Sequence, residues 1–177
     1  MSDRKEQIIY VALELFANEG FKGVTTSKIA KQAGVSEGLI FRHFTNKQGL
    51  LEAITGLAVE KTVVAFKPII DEKNAQKVIE KTILLPFTIK KDEYYFWKLQ
   101  FKLKWEMEYS GKEKMKPLLD KLRWAFDELN YEQPEQEAEM LNHIVESVSG
   151  AILKDGLEGQ LSLKDFLLHK YKITAAN

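Results

Sequence analysis

Residues Thr25 to Lys47 read TTSKIAKQAGVSEGLIFRHFTNK, and this stretch decides the fold. Ile29, Ala30 and Ala33 recur at helical spacing before the segment Ala33-Gly34-Val35-Ser36. Leu39, Ile40, Phe41 and Phe44 do the same after it. Thr25 and Ser36 are residues that cap helix N-termini, and Gly34 is suited to stop the first helix. The spacing predicts two short helices, about residues 26–33 and 37–44, joined by a tight turn. Helices of roughly two turns are not stable alone in water. They must share a core, which the pattern assigns to Phe16, Ile29, Ala30, Ala33, Val35, Ile40 and Phe44. Alanines at the crossing let the two helices approach closely, the helix-turn-helix arrangement.

Upstream, Asp3 with Glu6 reads as a capping box. Ile9, Ala12, Leu13 and Phe16 form the apolar stripe of a first helix that Gly20 ends, and Phe21 and Val24 anchor the loop beyond it. Downstream, Thr45 with Gln48 has the capping-box pattern again and opens a long fourth helix ending near Pro68. No Pro/Gly/Ser-rich linker interrupts the chain near residue 50, so that helix is itself the connection. Further helices are predicted from Asn74 to about Lys90, kinked at Pro86, and from Asp92 past Met107. Others run from beyond Ser110-Gly111 to about Asn130, with Pro117 in or near the first turn, from Pro134 to Gly156, and from Ser162 and Asp165 to Tyr171. No strand pattern, repeat or low-complexity segment is present. The expected fold is therefore all-α with about nine helices. An N-terminal three-helix helix-turn-helix domain, residues 1–48, is joined by the long helix to a helical C-terminal domain, residues 49–177.

Hydrophobic residues make up 45% of the 177, enough for a core and too many for wholesale disorder. There is no cysteine, which excludes a disulfide scaffold, a thiolate metal site and a cysteine nucleophile. His143 and His169 each stand apart, with no partner placed as in HExxH, so no metal or other cofactor is expected. No apolar run is long enough to span a bilayer, and the N-terminus lacks an apolar signal core. The expectation is a cytoplasmic protein without a membrane partner. The 26 basic and 26 acidic residues cancel, but residues 1–50 hold 7 Lys+Arg against 5 Asp+Glu. The sign suits an N-terminal nucleic-acid surface; the size does not advertise one. No nucleophile and base pair stands out, so an enzyme is not expected.

These first fifty or so residues resemble the tetracycline-repressor (TetR) family of bacterial transcriptional regulators. The resemblance rests on Ala17, Gly20-Phe21, Val24-Thr25, Ile29-Ala30, Ala33-Gly34-Val35-Ser36, Gly38, Phe41, His43-Phe44, Lys47 and Leu50-Leu51. The family implies a homodimer, a DNA-binding head on a palindromic operator, and a helical domain that takes a small, partly apolar ligand. The expected activity is that of a ligand-released repressor. A helical interaction protein whose N-terminal unit contacts other proteins is the alternative.

On that resemblance the helix from Glu37 to Phe44 lies in the major groove. Ile40 and Phe44 face inward, leaving Glu37, Gly38, Leu39, Phe41, Arg42 and His43 outward or edge-on. Gly38 permits close backbone approach, Arg42 has the fork that matches guanine O6/N7, and Leu39 suits a thymine methyl. Glu37 can accept from cytosine or repel wrong partners. Thr25, Thr26, Ser27, Lys28, His43 and Lys47 are placed for phosphate, with Ser36 at the helix cap. The family carries tyrosine where Phe41 stands, so a hydroxyl that would reach a phosphate is absent here. In the C-terminal part, Tyr94, Trp97, Phe101 and Trp105 share a stripe that either lines a pocket or packs as core. Phe87, Trp97, Phe101, Trp105, Trp124 and His143 are the expected ligand residues. Ser147, Gly150 and Ala151 are small enough for two copies of their helix to cross at a dimer interface.

Overall fold

Each stretch with a 3.6-residue apolar period is an α-helix in the computed structural model, which describes residues 3–106 and 112–173 and the side chains of residues 4–103 and 115–173. In order these are α1 (Asp3–Glu19), α2 (Thr26–Gln32), α3 (Glu37–Phe44), α4 (Lys47–Ile70), α5 (Ala75–Leu84), α6 (Tyr94–Glu106), α7 (Lys112–Glu128), α8 (Pro134–Asp155) and α9 (Leu161–Lys170). Short 3-10 turns at Leu85–Thr88 and Lys91–Glu93 lie between α5 and α6, and another at Glu158–Gln160 lies between α8 and α9. No strand occurs among the described residues, and no helix among them is long and apolar enough to cross a membrane.

The contacts gather into two units. The first takes in Met1–Thr62 and Asp92–Tyr109. Its core joins Ile8, Ala12, Leu13 and Phe16 of α1 to Ile29 and Ala30 of α2, Ile40 and Phe44 of α3, and Leu50 and Ile54 of α4. Leu99 and Leu103 of α6 complete it. Phe16 is fully buried, a placement worth roughly 1.5–3 kcal/mol for a side chain of that size. Phe21 stands edge-on to it, with ring centroids 5.3 Å apart. Three polar contacts pin α6 to α1: the Tyr95 hydroxyl donates to Glu14 at 3.2 Å, Lys98 to the Asn18 side chain at 3.2 Å, and Lys102 to the Asn18 carbonyl at 2.9 Å. The Glu14 carboxylate raises the Tyr95 pKa above its ordinary value.

The second unit takes in Val63–Lys91 and Ser110–Asn177. Val78, Ile79 and Ile83 of α5 pack with Leu118, Leu122 and Phe126 of α7, Leu141 and Val145 of α8, and Leu167 of α9. Phe126 is ringed by Tyr131 and Tyr171 at 5.0 and 5.7 Å. Burial, and then the Glu137 carboxylate that accepts from it, push the Tyr171 hydroxyl well above the usual phenol range.

Several boundaries differ from expectation for local reasons. Asp3 already lies inside α1. Thr45 does not cap α4. It ends α3 at φ 66°, and Asn46 takes the cap, its side chain accepting from Gly49 N at 2.8 Å. Pro86 does not kink a continuing helix. α5 stops at Leu84 and Pro86 enters a 3-10 turn, since proline offers no N–H to an α-helical ladder. Asp92 falls in the Lys91–Glu93 turn before α6 rather than capping it. Pro117 sits inside α7, beyond its first turn. Ser162 lies within α9, which begins one residue earlier. The Trp105 side chain, Met107 and the Ser110-Gly111 break lie outside the described residues.

Candidate DNA-binding surface

The geometry of the surface is set by the turn between α2 and α3. Thr25 caps α2, its hydroxyl accepting from Lys28 N at 3.2 Å. After Ala33, Gly34 takes φ +63°, a backbone conformation that glycine adopts without steric cost. Gly34 N and Val35 N then bond back to the carbonyls of Lys31 and Ala30 at 3.3 and 3.0 Å, satisfying the end of α2. Ser36 opens α3 by accepting from Leu39 N at 3.3 Å. With Ile40 and Phe44 buried, the helix has one possible outward face.

On that face Gly38, Phe41 and Arg42 are exposed, and Glu37, Leu39 and His43 are half-buried. A Cβ added at Gly38 would meet nothing within 4 Å, so no contact among the described residues calls for glycine there. Phe41 shows 46% of its surface to solvent. Arg42 makes no hydrogen bond or ion pair with the described residues. His43 leans on Phe44 with ring centroids 5.9 Å apart. Thr25, Ser27, Lys28 and Ser36 are exposed beside this helix, and Thr26 is half-buried.

Four of the expected DNA contacts, Lys28, Lys47, Thr26 and Glu37, have internal partners that the sequence pattern gave no sign of. The Lys28 ammonium pairs with Glu19 at 2.5 Å. The Lys47 ammonium donates to the carbonyls of Phe21 and Val24 at 2.9 and 2.8 Å and lies 4.4 Å over the Phe21 ring. It therefore ties the start of α4 to the loop after α1, with one N–H left over. Thr26 donates to Glu37 at 2.5 Å, linking the first residues of α2 and α3. These partners stand 9 to 26 residues apart in the chain, beyond any helical period.

The expected ligand residues do not come together within either unit. Trp97 and Phe101 lie in the first unit, on α6. The Trp97 indole nitrogen is buried without a hydrogen-bond partner. Phe87, Trp124 and His143 belong to the second unit. Lys164 stands over Phe87 at 5.9 Å. Trp124 lines an open groove of about 510 Å³ with Arg123, Asp127 and the start of α8, under the Lys121 ammonium at 4.1 Å. His143 is exposed on α8 in a separate shallow groove with Gln136, Glu139, Met140, Ile144 and Ser147. Ser147 is exposed, while Gly150 and Ala151 are half-buried. No three His, Asp or Glu residues gather as metal ligands among the described residues.

The family model described as "Bacterial regulatory proteins, tetR family" matches residues 8–54, which span α1, α2, α3 and the start of α4. An uncharacterized HTH-type transcriptional regulator, YvkB of Bacillus subtilis, is 44% identical over 54 residues, 30% of this chain and 29% of that protein. The nucleoid occlusion factor SlmA of Vibrio cholerae is 36% identical over 72 residues, 40% of this chain and 37% of that one. The chain thus spans well under half the length of these relatives. Solved structures agree along nearly the whole chain. A TetR-like transcriptional regulator from Rhodococcus superposes with a TM-score of 0.76 over 97% of this chain and 95% of that one, at 16% identity. AmtR of Mycobacterium smegmatis gives 0.71 over 99% and 89%, at 19% identity. At such identities the likeness speaks for the fold alone. With the helix-turn-helix in place and its sequence matched from residue 8 to residue 54, this segment is similar to the tetR family of bacterial regulatory proteins.

Proposed function

We propose that this protein is a sequence-specific DNA-binding transcriptional regulator rather than an enzyme, and that it acts as a homodimeric repressor released by a small ligand. The observation that carries the reading is the outward face of α3. A capped, well-anchored helix presents an arginine without a partner among the described residues, beside a glycine where an added Cβ would meet none of them within 4 Å. Such a helix fits the major groove, where side chains near its N-terminus reach base edges. Arg42 is suited to guanine O6/N7. Thr25, Ser27, Ser36 and His43, with the remaining N–H of Lys47, are suited to phosphates.

Residues 1–48 act in this scheme as the DNA-binding domain, and residues 49–177 bind the ligand and dimerise. Two heads on one palindrome require two copies of the chain. Support for the dimer comes from apolar side chains left in solvent on the last helices, Met140 at 39% and Phe166 at 59% exposed. Ser147, Gly150 and Ala151 permit close helix crossing on α8. The ligand is small and partly apolar, taken up through the aromatic residues of α6, among which Trp97 keeps an indole N–H without an acceptor. Ligand binding would act through α4, which runs from the helix-turn-helix into the second unit without a break. A ligand shifts such an equilibrium only through its unequal affinity for the two states.

Replacing Arg42 with Ala is expected to cost about 1–3 kcal/mol at one base position and to relax preference there. Selecting bound duplexes from a random pool with wild-type and Arg42→Ala protein checks it. A uniform loss over all sequences would remove the base-reading role. The exposed ring of Phe41 favours one second reading, a helical module that binds other proteins. Binding of bulk DNA that weakens steeply with salt separates the two, because only a phosphate surface releases counterions.

A further inference from the structure

We infer that Glu37 determines specificity by selecting a C·G base pair, and that Thr26 is the positioning residue that aims it; this rests on the reading of α3 as a DNA-recognition helix. The Thr26 hydroxyl donates to Glu37 Oε1 at 2.5 Å, and both residues are half-buried. The bond joins the first residue of α2 to the first residue of α3, so both ends are held by helix starts that Thr25 and Ser36 cap. A glutamate at such a position ordinarily samples several rotamers, and fixing it in advance removes part of the ordering cost of a contact. The second oxygen, Oε2, has no hydrogen bond and no cation beside it among the described residues.

A carboxylate on this face is unfavourable for indiscriminate DNA binding, since the phosphate backbone repels it. Only a donor on a base edge offsets that repulsion. In the major groove the donors are the amino groups of cytosine and adenine. Adenine places the N7 acceptor next to its amino group, a second lone pair facing an acceptor-only side chain. Cytosine offers its N4 amino group without one. A single fixed carboxylate oxygen therefore prefers cytosine, and the charge on the acceptor strengthens the bond.

The test is selection from a pool of random-sequence DNA duplexes with the full-length chain, followed by titration of the selected duplex and its single-base variants. Wild-type protein is expected to select a half-site with a C·G pair at one position, discriminated about 5- to 150-fold. Glu37→Gln keeps the size and still accepts from Thr26, so the joint between α2 and α3 is retained. With the amide oxygen kept on Thr26, the atom aimed at the base becomes Nε2, which only donates, so preference at that one position should move from cytosine to a base edge that presents an acceptor, guanine O6/N7 or thymine O4. Thr26→Val removes the hydroxyl at constant shape and should weaken the cytosine preference without creating another, and Thr26→Ser should restore it. Unchanged base preferences in Glu37→Gln would overturn the assignment, as would one common loss of affinity across all duplexes in both variants. If wild-type protein selected no sequence at all, the DNA-recognition reading itself would fall, a result distinct from either of those.

Discussion

Two glycines near the α3–α4 corner have opposite reasons to exist. At Gly38 a methyl group would enter open space, whereas at Gly49 it would come within 2.1 Å of the Phe44 carbonyl oxygen. Gly38→Ala should therefore stabilise α3, by about 0.5–1 kcal/mol on helix propensity, while lowering affinity for DNA if the backbone there approaches the duplex. Gly49→Ala should cost at least the roughly 1–3 kcal/mol typical of overpacking, because the atom in the way is backbone. Thermal melts paired with DNA titrations separate the two. The buried positions of this region were readable in advance, as Ile29, Ile40 and Phe44 follow the helical period that puts them inward. The partners of Lys28 and Lys47 were not, because Glu19, Phe21 and Val24 are brought to them only by the packing of α1.

Helix ends show where local pattern and local geometry part. Thr45 and Asn46 are both common capping residues, and sequence alone favours Thr45 because Gln48 stands three residues on. The chain instead closes a three-residue γ-turn there, with Asn46 N bonded to the Phe44 carbonyl at 2.7 Å and Thr45 at φ 66° and ψ −47°. That conformation is strained for a β-branched residue. Thr45→Gly should accordingly raise stability by about 1 kcal/mol, toward the low end of the strain range. Asn46→Ala should lower it by about 0.5–2 kcal/mol through loss of the cap. Denaturant midpoints of the two variants test both signs, and a loss in Thr45→Gly would contradict the strain. At the start of α5 the boundary at Asn74 was legible, but the support of its loop was not. Glu72 accepts from Lys81 at 2.5 Å and from the backbone N–H groups of Lys73 and Asn74 at 2.9 and 3.1 Å. The Lys81 hydrogen bond leads in lowering its pKa from 4.5 to about 2. A carboxylate with a depressed folded-state pKa stabilises above its unfolded value and loses that contribution as pH falls toward the folded one. Glu72→Gln should therefore flatten the decline in stability between about pH 4.5 and pH 2, as followed by circular dichroism.

For the molecule as a whole, the all-α class and the order of the helices were legible because each segment carries its own period. The grouping of those helices was not. α6 belongs with α1 rather than with the helices beside it in sequence, and its Leu99 and Leu103 give no local sign of that. Aromatic spacing on α6 likewise cannot say whether a ring lines a pocket or fills a core. Association is the property to test at this scale. Phe166 is the most exposed aromatic side chain on α9. If the last helices meet a second copy, Phe166→Glu should halve the mass seen by light scattering at micromolar concentration and leave the helical circular dichroism intact. A dimeric variant would place the interface elsewhere. Paired protomers also double every head-borne contact, which matters for a chain whose charges sum to zero.

The intramolecular partners of Lys28 and Lys47 bear on how such a protein would search a chromosome. Dwell time on arbitrary sequence comes from cations that displace condensed counterions, and here Arg42 alone of the three nominated cations has no intramolecular partner among the described residues. Time on non-operator DNA would be short and sliding tracts brief. Arrival would depend on repeated encounters from solution. A regulator of that kind leaves DNA quickly once its grip on the operator is lost.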